Sequence, residues 1–276
     1  MSDIARRAPD SRIATLRGML EQAKPRIAAV LPKHLTADRM CKLALVAASQ
    51  SPQLAACEPV SVIRSVMLSA QLGLDPFGAL GSAYLVPYGT RCTLIPGYRG
   101  LIDLARRSGA VSVVEARAVY EGDRFSYCYG LEPRLEHSPA SGERDEAIKP
   151  SHVYAIVRYK DGGAQFDVMT RAEVDAIRKR SKASGNGPWV TDYAEMAKKT
   201  VIRRLLKLVP MSIELAQAIA VDERADRGEE QSDGIVDVMP EDFMEKPPDG
   251  NAALKDALKA ATQATLDAVP EPGTEG

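Results

Sequence analysis

The sequence predicts an α+β fold: a small, antiparallel-rich β-sheet packed with helices. Three observations carry this. Apolar residues recur at helical spacing over residues 11–73 and again over 170–226. Between them lie short β-branched and aromatic runs bounded by Gly- and Asp-containing turns. No alternating strand–helix–strand series and no internal repeat is present, which argues against a doubly wound parallel sheet or a solenoid.

The elements follow in order. Ile13, Leu16, Leu20, Ile27, Val30 and Leu31 suit a helix over 11–31, bent or restarted at Pro25. Thr36 is placed to cap a helix over 37–49. After Pro59 a third helix carries Val62, Ile63, Val66, Met67 and Ala70 on one face, and should stop at Gly73 with Leu74 folding back. Residues 82–86 and 92–95 read as a hairpin around Tyr88-Gly89-Thr90-Arg91. A helix over 98–108 ends at Gly109; 111–120 and 125–129 are β-rich, and 138–150 read as a polar loop. Residues 153–159 and 165–169 form a second hairpin through Asp161-Gly162-Gly163. Thr170-x-x-Glu173 is a capping box for a helix toward Lys182, and Asp192-x-x-Glu195 is read as another. Pro210 ends that last helix, and Ser212 caps one more to about Asp226. A core over 1–226 is thus followed by a tail over 227–276, expected to be disordered over 227–250, with a weak helix over 252–269.

Bulk charge conceals a division. The net charge is −1, yet residues 1–220 hold 31 Lys+Arg against 22 Asp+Glu and residues 221–276 hold 5 against 15. A basic body with an acidic tail suggests a polyanionic partner, or at its plainest a solubilising tail. No run of about 18 apolar residues reads as a membrane span, and MSDIARRAPD has no apolar signal region. Cys41, Cys57, Cys92 and Cys128 lack CxxC spacing and read as reduced thiols of a cytoplasmic protein.

The stretch AKKTVIRRLLK, residues 197–207, holds five cations and no acid. At about 100° per residue, Val201, Ile202, Leu205, Leu206, Leu208 and Val209 share one arc while Lys199, Arg203, Arg204 and Lys207 share the opposite one. Lys198 projects onto the apolar side, so either it snorkels or the helix leaves its core cover at that turn. A solvated basic face explains one such helix. Arg178, Lys179, Arg180 and Lys182 end the preceding helix, however, and residues 171–207 hold ten cations against four acids. Four cations exceed what a helix C-terminus needs to complement its dipole, and the excess suits a phosphate backbone. Arg99, beside Tyr98, extends the basic set. Trp189, the only tryptophan, is open to two readings: stacking on a base or pinning its Gly-Asn-Gly-Pro loop.

Several chemistries lack their signatures. No GxxxxGK[ST] loop or GxSxG elbow occurs, and Gly97-x-x-Gly100 is too short for a dinucleotide fingerprint. His34, His137 and His152 stand alone, and Asp103, Glu115, Glu121 and Asp123 are scattered by the geometry of their elements. The chain reads as a binder rather than an enzyme.

Five segments then carry a resemblance: LPKHLTADRM, SAQLGLDPFGALGSAYLVPYG, LIPGYRGLIDLARRSG, HVYAIVRYKDGGAQFDVMT and GPWVTDYAEMAKKTVIRRLLKLVP. In this order, over about residues 30–215, they resemble the RecT family of phage and prophage recombinases, relatives of the lambda Red beta protein. The resemblance implies ATP-independent annealing of single-stranded DNA in a basic groove, on a homo-oligomeric ring or helical filament that also holds the annealed duplex. It implies a 5′→3′ exonuclease and a host single-strand binding protein as partners. No cofactor is required, and a role for Mg is left open. The expected DNA contacts are Arg99, Arg178, Lys179, Arg180, Lys182, Trp189, Lys198, Lys199, Arg203, Arg204 and Lys207, with the fold surviving charge reversal at Arg203 and Arg204. Protomer contacts are expected on the apolar face of 60–72 and the hairpin over 82–95. The alternatives are a non-annealing DNA-binding regulator and a nuclease accessory protein; the loop at 184–188 is too long for a helix-turn-helix.

Overall fold

The computed structural model describes residues 4–33, 35–142 and 148–231. Its helices are α1 (Ile4–Val30), α2 (Ala37–Gln50), α3 (Pro52–Ala55), α4 (Pro59–Leu72), α5 (Tyr98–Arg107), α6 (Arg171–Arg180), α7 (Pro188–Thr191), α8 (Tyr193–Leu206) and α9 (Ile213–Arg227). Its strands are β1 (Ala83–Tyr88), β2 (Arg91–Pro96), β3 (Val111–Val119), β4 (Arg124–Cys128), β5 (Arg134–Ser138), β6 (His152–Tyr159) and β7 (Ala164–Thr170). All pairings are antiparallel: β1–β2, β4–β5, and a three-stranded sheet in the order β3-β6-β7.

The α+β reading holds, with four differences in detail. α1 runs unbroken through Pro25, without a restart, and begins already at Ile4. α3, α7 and β5 carry too few residues to show a period and were not expected. β3, which the sequence left without a partner, pairs with β6. Neither Thr36 at α2 nor Asp192 at α8 makes a side-chain cap; the Asp192 carboxylate instead accepts from the Thr191 hydroxyl at 2.5 Å. The capping box at Thr170 is present, with Glu173 N donating to Thr170 Oγ1 at 3.3 Å and Thr170 N to Glu173 Oε2 at 2.8 Å. α4 stops as expected at Gly73, whose φ of 62° lets Leu74 N reach back to Ser69 O at 3.0 Å.

α4 is the central helix. Val62, Ile63, Val66, Met67 and Ala70 are all buried, and the helix packs against α1, β2 and α9. Its apolar face, expected to serve protomer contacts, is therefore consumed within the chain. The three-stranded sheet has a layer on each side. On β6, Val153, Ala155 and Val157 alternate with Tyr154 and Ile156. The second set joins Val119, Val168, Phe125, Leu135 and Phe166 in a cluster under the β4–β5 hairpin. α8 packs on β6, β3 and β7 from the opposite face.

The Gly97-x-x-Gly100 pair has a packing role. A Cβ on Gly97 would lie 2.1 Å from Gly81 O, and one on Gly100 2.1 Å from Ser82 O. The first turn of α5 thus presses on the backbone that leads into β1. Gly100→Ala should lower the unfolding free energy by about 1–3 kcal/mol through overpacking. Gly18→Ala, on α1 with nothing within 4 Å of the added atom, should raise it by about 0.5–1 kcal/mol. Urea midpoints of the two variants should move in opposite directions.

Cys41, Cys57 and Cys92 are buried and Cys128 is exposed. Burial pushes the Cys41 thiol up to about 11 and the Cys92 thiol up to about 12, and raises that of Cys57. A thiolate reagent at pH 8 should label Cys128 alone in the native protein, as read by peptide mass. Rapid labelling of a second cysteine would contradict this packing.

The expected tail begins in ordered structure. α9 runs to Arg227 and Gly228 caps it at φ 71°. Gln231 then uses its side-chain amide as a strand would, accepting from Leu94 N at 3.0 Å and donating to Leu94 O at 2.7 Å. The expectations for residues 232–276, and those for His34 and for 143–147 in the polar loop, fall outside the described residues.

Candidate nucleic-acid interface

The end of α6 gathers the cations. Thr170 and Glu173 fix where the helix starts, and its last turn carries Arg178, Lys179 and Arg180. Arg178 Nε donates to Ser184 O at 2.8 Å and pins the loop that follows. Lys182 N donates to Asp226 O at 2.8 Å, and Lys182 Nζ lies 5.6 Å from the ring centre of Tyr88 on β1. Nearby, Lys149 Nζ and Arg178 Cζ lie 4.8 and 5.9 Å from the ring centre of Tyr193. The Tyr193 hydroxyl donates to Asp175 at 2.9 Å; burial and then that carboxylate hold it above the usual phenol range. Three parts of the chain thus converge: the residue before Pro150, the end of α6 and the start of α8. Among the described residues no carboxylate pairs with Lys149, Arg171, Arg178, Lys179, Arg180 or Lys182.

Trp189 is 2% exposed and meets Tyr193 edge-on at 6.1 Å. It pins the loop, and stacking on a base would require it to leave this packing. Among the described residues no hydrogen-bond partner reaches its buried Nε1.

The projected basic face of α8 is divided by tertiary packing. Lys199 and Arg203 are only 8% and 9% exposed. Lys199 donates to Asp222 at 2.5 Å, and Arg203 to Asp222 at 2.6 Å and Asp226 at 2.5 Å; the Asp222 side chain is fully buried. Burial alone lowers the Arg203 guanidinium, and the two carboxylates more than reverse this, so it stays charged. Arg204 grips Asp167 of β7 with Nε at 2.5 Å and Nη2 at 2.6 Å, and donates from Nη2 to Val168 O at 2.6 Å. Lys207 pairs with Glu223, and Lys198 with Glu195 at 2.5 Å. The expectation that Lys199, Arg203, Arg204 and Lys207 form one free solvent face is corrected: α9 supplies the acids for Lys199, Arg203 and Lys207, and Asp167 of β7 and Glu173 of α6 those for Arg204, all concealed by sequence distance. Arg99 is exposed on α5, with Nη1 3.4 Å from Leu80 O, and no observed contact joins it to the α6 cluster.

The family model described as "RecT family" matches residues 38–236. The chain belongs to the RecT family. It is thereby a recombination-related DNA-annealing protein. It is 48% identical over 209 residues to Protein RecT of Escherichia coli (strain K12), covering 73% of this chain and 77% of that protein. It is 31% identical over 244 residues to the Bacillus subtilis (strain 168) protein YqaK, covering 85% and 84%.

Two cations of this RecT-family cluster were not singled out from sequence. Lys149 carries no local signal. Arg171 does: it occupies the first turn of α6, where the dipole disfavours a cation.

Proposed function

We propose that the chain binds single-stranded DNA through the cluster at the end of α6 and anneals complementary strands without hydrolysing a nucleotide. The convergence of Lys149 and Arg178 over Tyr193, with Lys179, Arg180 and Lys182 following Arg178 in the chain and Arg171 of the first turn acting electrostatically on the same Tyr193, is the observation that carries this. Cations free of internal carboxylates can exchange water and counterions for phosphates. Gripping the backbone leaves the bases outward, so pairing itself reads sequence and the protein needs no base contacts. Lys199 and Arg203 are left out of the contact set, because their charge is already neutralised in the interior. Arg204 and Lys207 contribute less, each being held by a carboxylate.

Annealing on a homo-oligomeric ring or filament is part of the reading, as are an exonuclease that supplies single strands and a host single-strand binding protein. Among the described residues no helix is long and apolar enough to cross a membrane, and the reading places the chain in the cytoplasm. The acidic segment beyond residue 231 either competes with DNA or recruits a partner. Its removal should tighten DNA binding and lessen its salt dependence in the first case, and leave both unchanged in the second.

The test mixes complementary oligonucleotides with the full chain, without nucleotide and with or without Mg, and follows duplex formation. Annealing should accelerate without ATP. With about six phosphates held, log affinity should fall with log salt at a slope near −4, from roughly −0.7 per single-strand phosphate. A flat salt response, or acceleration only with ATP, would overturn the reading.

A further inference from the structure

Each small sheet ends in edge strands, and an unguarded edge invites another strand. Most edges here are guarded. β1 contains Pro87, which has no N–H to offer. On β2 the amide of Gln231 occupies both backbone groups of Leu94. On β7, Val168 N donates to the Tyr129 hydroxyl at 2.9 Å and Val168 O accepts from Arg204 at 2.6 Å. Self-pairing of β5 about its centre would set Glu136 against Glu136.

β3 is different. It has nine residues and, among the described residues, pairs only with β6. Among the described residues the one side-chain bond from β3 to a backbone group runs inward, from Ser112 Oγ to Arg158 O of β6 at 2.9 Å. Beside its outer edge lies a cleft of about 450 Å³, lined by Ala116, Arg117 and Ala118 together with His137, Tyr154 and Lys198. Val113 is 44% exposed on this strand.

We propose that β3 docks against β3 of a second copy of this chain, antiparallel, across a two-fold axis at Ala116. The occupant is indicated by self-complementarity. Residues 113–119 read VVEARAV. About Ala116, Glu115 of each copy faces Arg117 of the other, Val114 faces Ala118, and Val113 faces Val119. Within one chain Glu115 and Arg117 lie 3.5 Å apart on the same face, Arg117 exposed and Glu115 half-buried, so each can exchange its partner for the counterpart across the axis. Sliding the pairing by two residues either way sets Glu115 against Glu115 or Arg117 against Arg117, so charge selects this register. On the α8 side Ala116 and Ala118 are small, and the nearby Lys198 carries its own Glu195. A contact through one strand edge is small, so the dimer is weak and concentration-dependent.

This contact is isologous and closes after two copies. It is therefore distinct from the head-to-tail contacts that a ring or filament needs, and it does not rest on the DNA reading.

Sedimentation velocity of the full chain without DNA, over a concentration series, tests it. The unaltered chain should self-associate. Arg117→Glu places Glu opposite Glu in both symmetry-related pairs and should weaken the dimer about tenfold or more. The swap Glu115→Arg/Arg117→Glu recreates the complementarity in reverse and should restore it. Ala116→Cys in a Cys128→Ser background gives a second readout: mild oxidation should join two chains at residue 116, since directly opposed Cα atoms lie within disulfide reach. A monomeric unaltered chain, an Arg117→Glu variant that associates normally, a swap that stays dissociated, or no cross-link at 116 would each overturn the proposal.

Discussion

Arg203→Ala should lower the unfolding free energy by about 3–5 kcal/mol, the range for stripping one partner from a buried charge pair. Asp222 is fully buried and holds Lys199 and Arg203 at 2.5 and 2.6 Å, and Arg203 also holds Asp226. Without the guanidinium, Asp222 keeps one cation in a site that excludes water. Lys199 softens the loss, which places the effect toward the lower end. Reversing the charge with Arg203→Glu brings three carboxylates together and should prevent folding, so the fold does not survive the substitution that a helical projection would choose to test DNA binding. The control is Lys207→Ala. Its ion pair with Glu223 is 46% and 30% exposed, and its loss should change stability by less than about 1 kcal/mol. Urea denaturation followed by circular dichroism reads both. An Arg203→Ala chain as stable as the parent but unable to bind DNA would show that Arg203 faces the ligand.

The paired substitution Lys179→Glu/Arg180→Glu should lower stability by no more than about 1 kcal/mol, since both positions lie on the surface. Both side chains are exposed at the end of α6, and among the described residues neither has an ion-pair partner. The cost of two anions near a helix C-terminus is a few tenths of a kcal/mol each. DNA should register the change strongly. Removing two phosphate contacts reduces the log–log salt slope by about 1.4, and the added repulsion brings the low-salt affinity loss to about a hundredfold. Fluorescence anisotropy of a labelled single strand at several salt concentrations gives slope and affinity together. An unchanged slope would move the interface away from α6. Contrast with Arg203→Ala separates the two roles of the basic residues: one variant loses the fold, the other loses the ligand.

How far the sequence could be read depended on the range of the interaction concerned. The Thr170 capping box, the Gly73 stop of α4 and the Ser212 cap each involve residues within about one helical turn, and all were legible. α3 and α7 were not, because four residues carry no period. β5 was hidden because its partner β4 and the sheet beneath it supply its reason to be extended. The candidate site divides in the same way. Arg178, Lys179, Arg180 and Lys182 were visible as an excess of charge in one turn. Lys149 entered only because the chain before β6 brings it over Tyr193.

The sequence by itself determined the class of fold, the family, the bounds of α4, the starts of α6 and α9, and the concentration of positive charge between residues 171 and 207. Tertiary structure alone decided which of those charges are available. Asp222 and Asp226 lie 19 and 23 residues beyond Arg203, a separation at which helical projection is blind. Whether a cation meets water or a buried carboxylate depends on what packs above it, and periodicity along one helix holds no record of the helix that lies across it.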